Sequence, residues 1–99
     1  MTLVYSVDSK ICCLSLKLGW LRTLLASTGR ITALCQVAHN PAVISFGQDS
    51  GVIKDFDTKL NQVVRRASLH SSRINLMQSR GKFLLSSSID KIVVYDYSS

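Results

Sequence analysis

The sequence predicts an all-β chain of short antiparallel strands, and three observations carry that prediction. The first is composition. There is no Glu, only five Ala occur in 99 residues, and Val, Ile, Thr and Ser abound, a mixture that disfavours long helices and favours strands. The second is rhythm. Short apolar runs alternate with turn clusters at intervals of about 8–12 residues, which fits an antiparallel meander rather than a strand–helix–strand array. The third is a repeat. Asp8, Asp49 and Asp90 stand 41 residues apart, each between two apolar runs: Leu3-Val4-Tyr5 and Ile11-Cys12-Cys13-Leu14, Ala42-Val43-Ile44 and Val52-Ile53, Phe83-Leu84-Leu85 and Ile92-Val93-Val94-Tyr95.

Ten strands follow in order. Thr2–Ser6 and Ile11–Leu16 flank the Asp8-Ser9 turn, and Leu18-Gly19 breaks the run before Trp20–Leu25. Ser27-Thr28-Gly29 is a loop, after which Ile31–Gln36 leads to the turn Ala38-His39-Asn40-Pro41. Ala42–Phe46 and Val52–Phe56 enclose Gln48-Asp49-Ser50-Gly51, a reversal made of residues that favour turns. Lys59-Leu60-Asn61 turns into Gln62–Ala67, and Ser68–Ser72 is a loop. Ile74–Gln78 and Phe83–Ser87 flank Ser79-Arg80-Gly81-Lys82, and Ile92–Tyr97 is the tenth strand.

The length allows one domain, and an apolar content of 46% is enough for a packed core. Cys12, Cys13 and Cys35 are too few for a disulfide framework, so they read as small buried hydrophobes in a reducing compartment, cytoplasmic or nuclear. Met1 to Val7 lacks the pattern of a secretory signal. Residues 31–48 carry no formal charge, but Gln36, His39, Asn40, Pro41 and Gly47 make that stretch strand, turn and strand rather than a membrane span.

A period near 40–45 residues with strand–turn–strand content marks a propeller-type repeat. The residues resemble the WD-repeat β-propeller family. Phe56-Asp57 and Tyr95-Asp96 match the aromatic–Asp pair that ends its repeat; Asp49 and Asp90 match its turn aspartate; His70 matches the His of its loop into the first strand; Arg30-Ile31 and Arg73-Ile74 begin alike. No Trp occupies the dipeptide position, and Leu14-Ser15-Leu16 stands where the earliest copy would carry its pair. The resemblance implies antiparallel four-stranded blades of an incomplete β-propeller, with copies over about 1–30, 31–73 and 74–99. It also implies a structural network of Asp8, Asp49, His70, Asp90, Phe56, Asp57, Tyr95 and Asp96. In it His70 would pair with Asp90, with Ser86 or Ser88 extending the network toward Tyr95; such a network must be nearly fully satisfied to be stable.

Catalytic constellations are not legible. No Cys–His pair is supported locally, the cysteines lack metal-ligand spacing, and no phosphate-binding glycine loop occurs. Asp55 and Asp57 read as solvent-exposed rather than as an acid–base pair. No enzyme activity, cofactor or metal is expected. Arg65-Arg66-Ala67-Ser68 resembles the pattern read by basophilic kinases, which makes Ser68 a candidate phosphosite that could pair with Arg65, Arg66 or Arg73.

Net charge is +6, and Lys59, Arg65, Arg66, Arg73, Arg80 and Lys82 lie between Asp57 and Asp90 with no acid among them. Two readings of that stretch stand open: a solvated sheet edge protected by cations, or a surface for RNA, an anionic membrane or an acidic partner. Alternation puts Arg65 and Arg66 on opposite strand faces, which counts against phosphate binding. At this period the chain holds fewer copies than the four to eight blades of a closed ring. It is therefore expected to be a fragment or short isoform of a larger propeller, or to complete a ring with other chains. The expected function is a non-enzymatic protein–protein interaction scaffold. Its candidate contact loops are 38–41, 59–61, 68–72 and 79–82, and its partners include chains that cover the open blade edges; the alternative is an RNA-associated module using residues 59–82.

Overall fold

The computed structural model describes residues 2–15, 19–26 and 29–98. It contains ten strands among them: β1 (Thr2–Val7), β2 (Lys10–Ser15), β3 (Trp20–Ala26), β4 (Ile31–Gln36), β5 (Val43–Gln48), β6 (Val52–Asp57), β7 (Gln62–Ser68), β8 (Leu76–Arg80), β9 (Phe83–Ser87) and β10 (Ile92–Asp96). All neighbouring strands pair antiparallel, in sheets ordered β1-β2-β3, β4-β5-β6-β7 and β8-β9-β10. The expectation of four-stranded blades holds only for the middle sheet; the flanking sheets have three strands each among the described residues. The chain changes sheet after β3 and after β7, so four of the ten strands fall in the middle unit. The array is open, not a closed ring.

Position in the array explains the burial pattern. Every residue of β5 is buried, because the middle sheet is covered on both faces. On one side Ile11, Ile31, Ile44, Phe46 and Phe56 form a core with Leu24, Leu25 and Leu34 against it. On the other, Ile53, Ile74, Met77 and Leu84 form a second core with Ala33, Cys35, Leu69, Tyr95 and Tyr97. Gly47 permits the second contact, since a Cβ there would meet the Ile74 side chain at 2.8 Å.

Each crossing into a new sheet is pinned to the hairpin turn of the sheet before it. The Ile31 N–H donates to the Asp8 carbonyl (2.7 Å), and the Ile74 N–H to the Gln48 carbonyl (3.3 Å). The Thr32 hydroxyl also reaches the Ile74 carbonyl at 2.6 Å. At the opposite end of β4 the Ala38 N–H donates to Ser79 Oγ at 2.8 Å. Buried backbone groups are thereby paired across sheets as well as within them.

The outer face of the third sheet is different. Leu76, Phe83, Ile92 and Val94 are 55%, 51%, 70% and 61% exposed. The β8–β9 and β9–β10 registers place Leu85 on that same face, opposite Gln78 and Val94. Gln78, Arg80, Phe83, Leu85 and Val94 line a shallow groove of about 280 Å³ there.

Candidate functional site

The recurring aspartates occupy like places: Asp8, Asp49 and Asp90 all lie in the reversals β1–β2, β5–β6 and β9–β10. All three are exposed. Asp8 adopts a left-handed φ of 55°, which a short polar side chain tolerates in a tight turn.

His70 and Asp90 do not pair directly; Ser88 stands between them. His70 Nδ1 lies 3.0 Å from Ser88 Oγ and Nε2 lies 2.8 Å from Ser86 Oγ. The Ser88 hydroxyl donates to Asp90 Oδ1 at 3.1 Å. With its proton committed there, Ser88 Oγ accepts from Nδ1–H, which leaves Nε2 to accept from the Ser86 hydroxyl. That arrangement suits a neutral imidazole. Burial, and then the charge of Lys91, hold His70 below its ordinary value of 6.5, against the opposing pull of Asp90. His70 and Ser86 are both buried, so this chain of bonds ties the loop after β7 to β9 and its turn.

The aromatic–Asp pairs also fall in equivalent places. Phe56 pairs with Ile44 across β5–β6, and Tyr95 pairs with Leu84 across β9–β10. Asp57 Oδ1 accepts from the N–H groups of Lys59 (2.8 Å) and Leu60 (3.1 Å). Asp96 Oδ1 accepts from the N–H (2.8 Å) and hydroxyl (2.6 Å) of Ser98, and those bonds lower its pKa. Both carboxylates cap the turn that follows their strand.

Sequence reasoning placed Asp55 in solvent; it is 3% exposed. Its Oδ2 takes Arg65 Nη2 at 3.1 Å and the Tyr97 hydroxyl at 3.0 Å. The Arg65 guanidinium carbon sits 3.9 Å from the Tyr95 ring centre and 4.4 Å from that of Tyr97. Those two rings meet edge-on at 5.2 Å, and His39 lies 4.9 Å from Tyr97. The β6–β7 register sets Arg65 opposite Asp55, and a shift just beyond that pair sets Val63 opposite Phe56. Burial, the Asp55 charge and the bond to Asp55 raise the Tyr97 pKa, against the opposing influence of Arg65 and of the nearby Ser45 hydroxyl. Burial and then Asp55 push the Cys35 thiol up to about 11, so Cys35 remains an unreactive thiol at neutral pH. The opposite charges of Asp55 and Arg65, ten residues apart, hint at the pair; nothing local announces that Tyr97, 42 residues from Asp55, completes it.

The basic residues do not converge. Arg65 is committed to Asp55 and the tyrosines. Arg66 is exposed and stands opposite Lys54 on the other face of β7. Arg73 adjoins Ile74 at the Gln48 end of the array, whereas Arg80 and Lys82 lie at the β8–β9 turn, at the opposite end of β8. Among the described residues no group of three or more His, Cys or Asp could hold a metal ion, and no helix is long and apolar enough to cross a membrane.

No family model matches the sequence, and no curated protein matches it significantly. Solved structures do. A chain from the crystal structure of a mitotic checkpoint complex, a WD-repeat β-propeller, superposes with a TM-score of 0.86 at 15% identity, over 99% of this chain and 31% of that one. The computationally designed Ika8 protein matches with a TM-score of 0.69 at 20% identity, over 97% of this chain and 33% of that one. The designed Ika4 protein matches at 0.65 and 21% identity, over 94% and 63%. This chain thus spans less than two thirds of each, and at these identities the likeness shows the fold alone: an open, β-propeller-like array of antiparallel sheets.

Proposed function

We propose that this chain is a non-enzymatic protein–protein interaction scaffold resembling part of a WD-repeat propeller, which acts within a larger assembly. The observation that carries this reading is the uncovered outer face of the third sheet. Leu76, Phe83, Leu85, Ile92 and Val94 share that face with Gln78, Arg80 and Ser87, a largely apolar surface with polar groups among it, and exposed apolar patches with polar neighbours mark contact sites. The buried polar networks support the same reading, because they fix strands to strands and leave the loops to carry specificity. The checkpoint-complex neighbour is itself a component of a protein assembly.

The test is the association state of the chain by multi-angle light scattering, beside a Phe83→Lys, Val94→Lys double variant. The unmodified chain is expected to self-associate as concentration rises, and the variant to run as a monomer with unchanged circular dichroism. A well-dispersed unmodified monomer across the whole concentration range refutes the claim that this face requires a cover.

A further inference from the structure

We infer that Ser68 is a phosphorylation site for an arginine-directed protein kinase, and that the folded chain restrains its use by withholding Arg65. Two independent observations meet here. The sequence places arginines two and three residues before the serine, Arg65-Arg66-Ala67-Ser68. The structure places that segment in β7, an edge strand of the middle sheet, with Ser68 exposed at its end. The serine is presented in extended backbone, as a kinase groove requires.

The two arginines are not equally available. Arg66 is exposed. Arg65 lies on the opposite face, bonded to Asp55 Oδ2 at 3.1 Å and flanked by the rings of Tyr95 and Tyr97, with its side chain 28% exposed. A kinase that needs both guanidinium groups must draw Arg65 out of this clasp. Phosphorylation therefore reports the opening of the contact between the middle and third sheets.

The product also fits its surroundings. Arg66 and Lys54 stand directly opposite each other across β6–β7, a like-charge pairing that destabilises a sheet. Ser68 lies two residues beyond Arg66 on the same face, about 6–7 Å along the strand. A phosphate there adds close to two negative charges beside two cations. In the reaction the γ-phosphorus of ATP forms a bond to Ser68 Oγ as its bond to the bridging oxygen breaks. ADP leaves with that oxygen, and the serine proton passes to the catalytic carboxylate of the kinase.

The experiment uses the catalytic subunit of cyclic-AMP-dependent protein kinase with magnesium and ATP, read by intact mass and fragment sequencing. The substrates are the full chain and a synthetic peptide covering residues 61–75. The peptide is expected to be phosphorylated at Ser68 at least about tenfold faster than the folded chain, since tenfold corresponds to ~1.4 kcal/mol and a hydrogen bond to a charged group is of that order. Asp55→Ala in the full chain is expected to bring its rate toward that of the peptide. Tyr97→Phe, which keeps the ring stack and removes the hydroxyl that bonds Asp55, is expected to fall between. Arg65→Ala is expected to slow the peptide by a larger factor than the folded chain, in which Arg65 is already withheld, so that the two rates converge. The inference is overturned if phosphate incorporation survives Ser68→Ala, if chain and peptide react at the same rate, or if neither Asp55→Ala nor Tyr97→Phe accelerates the chain.

Discussion

Removing either partner of the Asp55–Arg65 pair should have unequal consequences. In Arg65→Ala the Asp55 carboxylate, buried in the intact chain, loses its cation and keeps only the Tyr97 hydroxyl as partner, and the cation leaves the two tyrosine rings. An uncompensated buried charge costs about 3–5 kcal/mol; with the Tyr97 bond retained, about 3 kcal/mol is expected. In Asp55→Ala the buried charge vanishes with the substitution. Arg65, more than a quarter exposed, keeps its aromatic neighbours and reaches water, so the expected loss is about 1–2 kcal/mol. The double variant should lose less than the sum of the two by about 1–2 kcal/mol, the coupling of residues in direct contact. Urea unfolding followed by far-ultraviolet circular dichroism reads all three. With a slope of roughly 1–2 kcal/mol/M, the midpoint should fall about twice as far for Arg65→Ala as for Asp55→Ala. Equal losses, a larger loss for Asp55→Ala, or strict additivity would refute the assignment of Asp55 as a buried ion held by Arg65.

Three further outcomes are expected. Gly51→Ala would set a Cβ against the His70 carbonyl, and 2.9 Å from that of Ser72, at a φ of +90°; with backbone on both sides unable to yield, a loss of at least about 3 kcal/mol in thermal or urea unfolding is expected. Phe46→Ala, at a fully buried site in the first core, should cost about 3–5 kcal/mol with no change in unfolding slope. Because the folded His70 pKa lies below its unfolded value of 6.5, the unfolded chain binds the extra proton first; the stability His70 contributes is complete above that pH and falls as pH drops toward the folded value. His70→Gln should flatten that slope between pH 7 and 5, and an unchanged slope would place the titration elsewhere.

Strand positions were legible because each is short, apolar and bounded by Gly, Pro, Asn, Asp or Ser, as at Gln48-Asp49-Ser50-Gly51. The aromatic–Asp pairs were legible through the resemblance to the WD-repeat pattern, and Phe56 and Tyr95 face the preceding sheet in matching registers. Asp55 was not: in β6 the alternation around Lys54-Asp55-Phe56-Asp57 suggests a polar outward face, yet the middle sheet has no outward face over β5 and β6. Burial there is set by the next sheet arriving 42 residues later with Tyr97, and no local pattern contains that information. The direct His70–Asp90 pairing failed for a similar reason. Ser86 in β9 and Ser88 in the turn just beyond it both bring their hydroxyls within hydrogen-bond reach of the imidazole, and Ser88 in turn bonds the Asp90 carboxylate.

The way each crossing is anchored bears on how the molecule comes apart. Ile31 and Ile74 each donate to the reversal of the sheet before, so each sheet is joined to its neighbour through that turn. Energetics of this kind resemble a one-dimensional chain of coupled links. The interior link has two neighbours and each terminal one has a single neighbour. Deuterium uptake should therefore invade from the flanks, with β5 and β6 holding their amide protons longest.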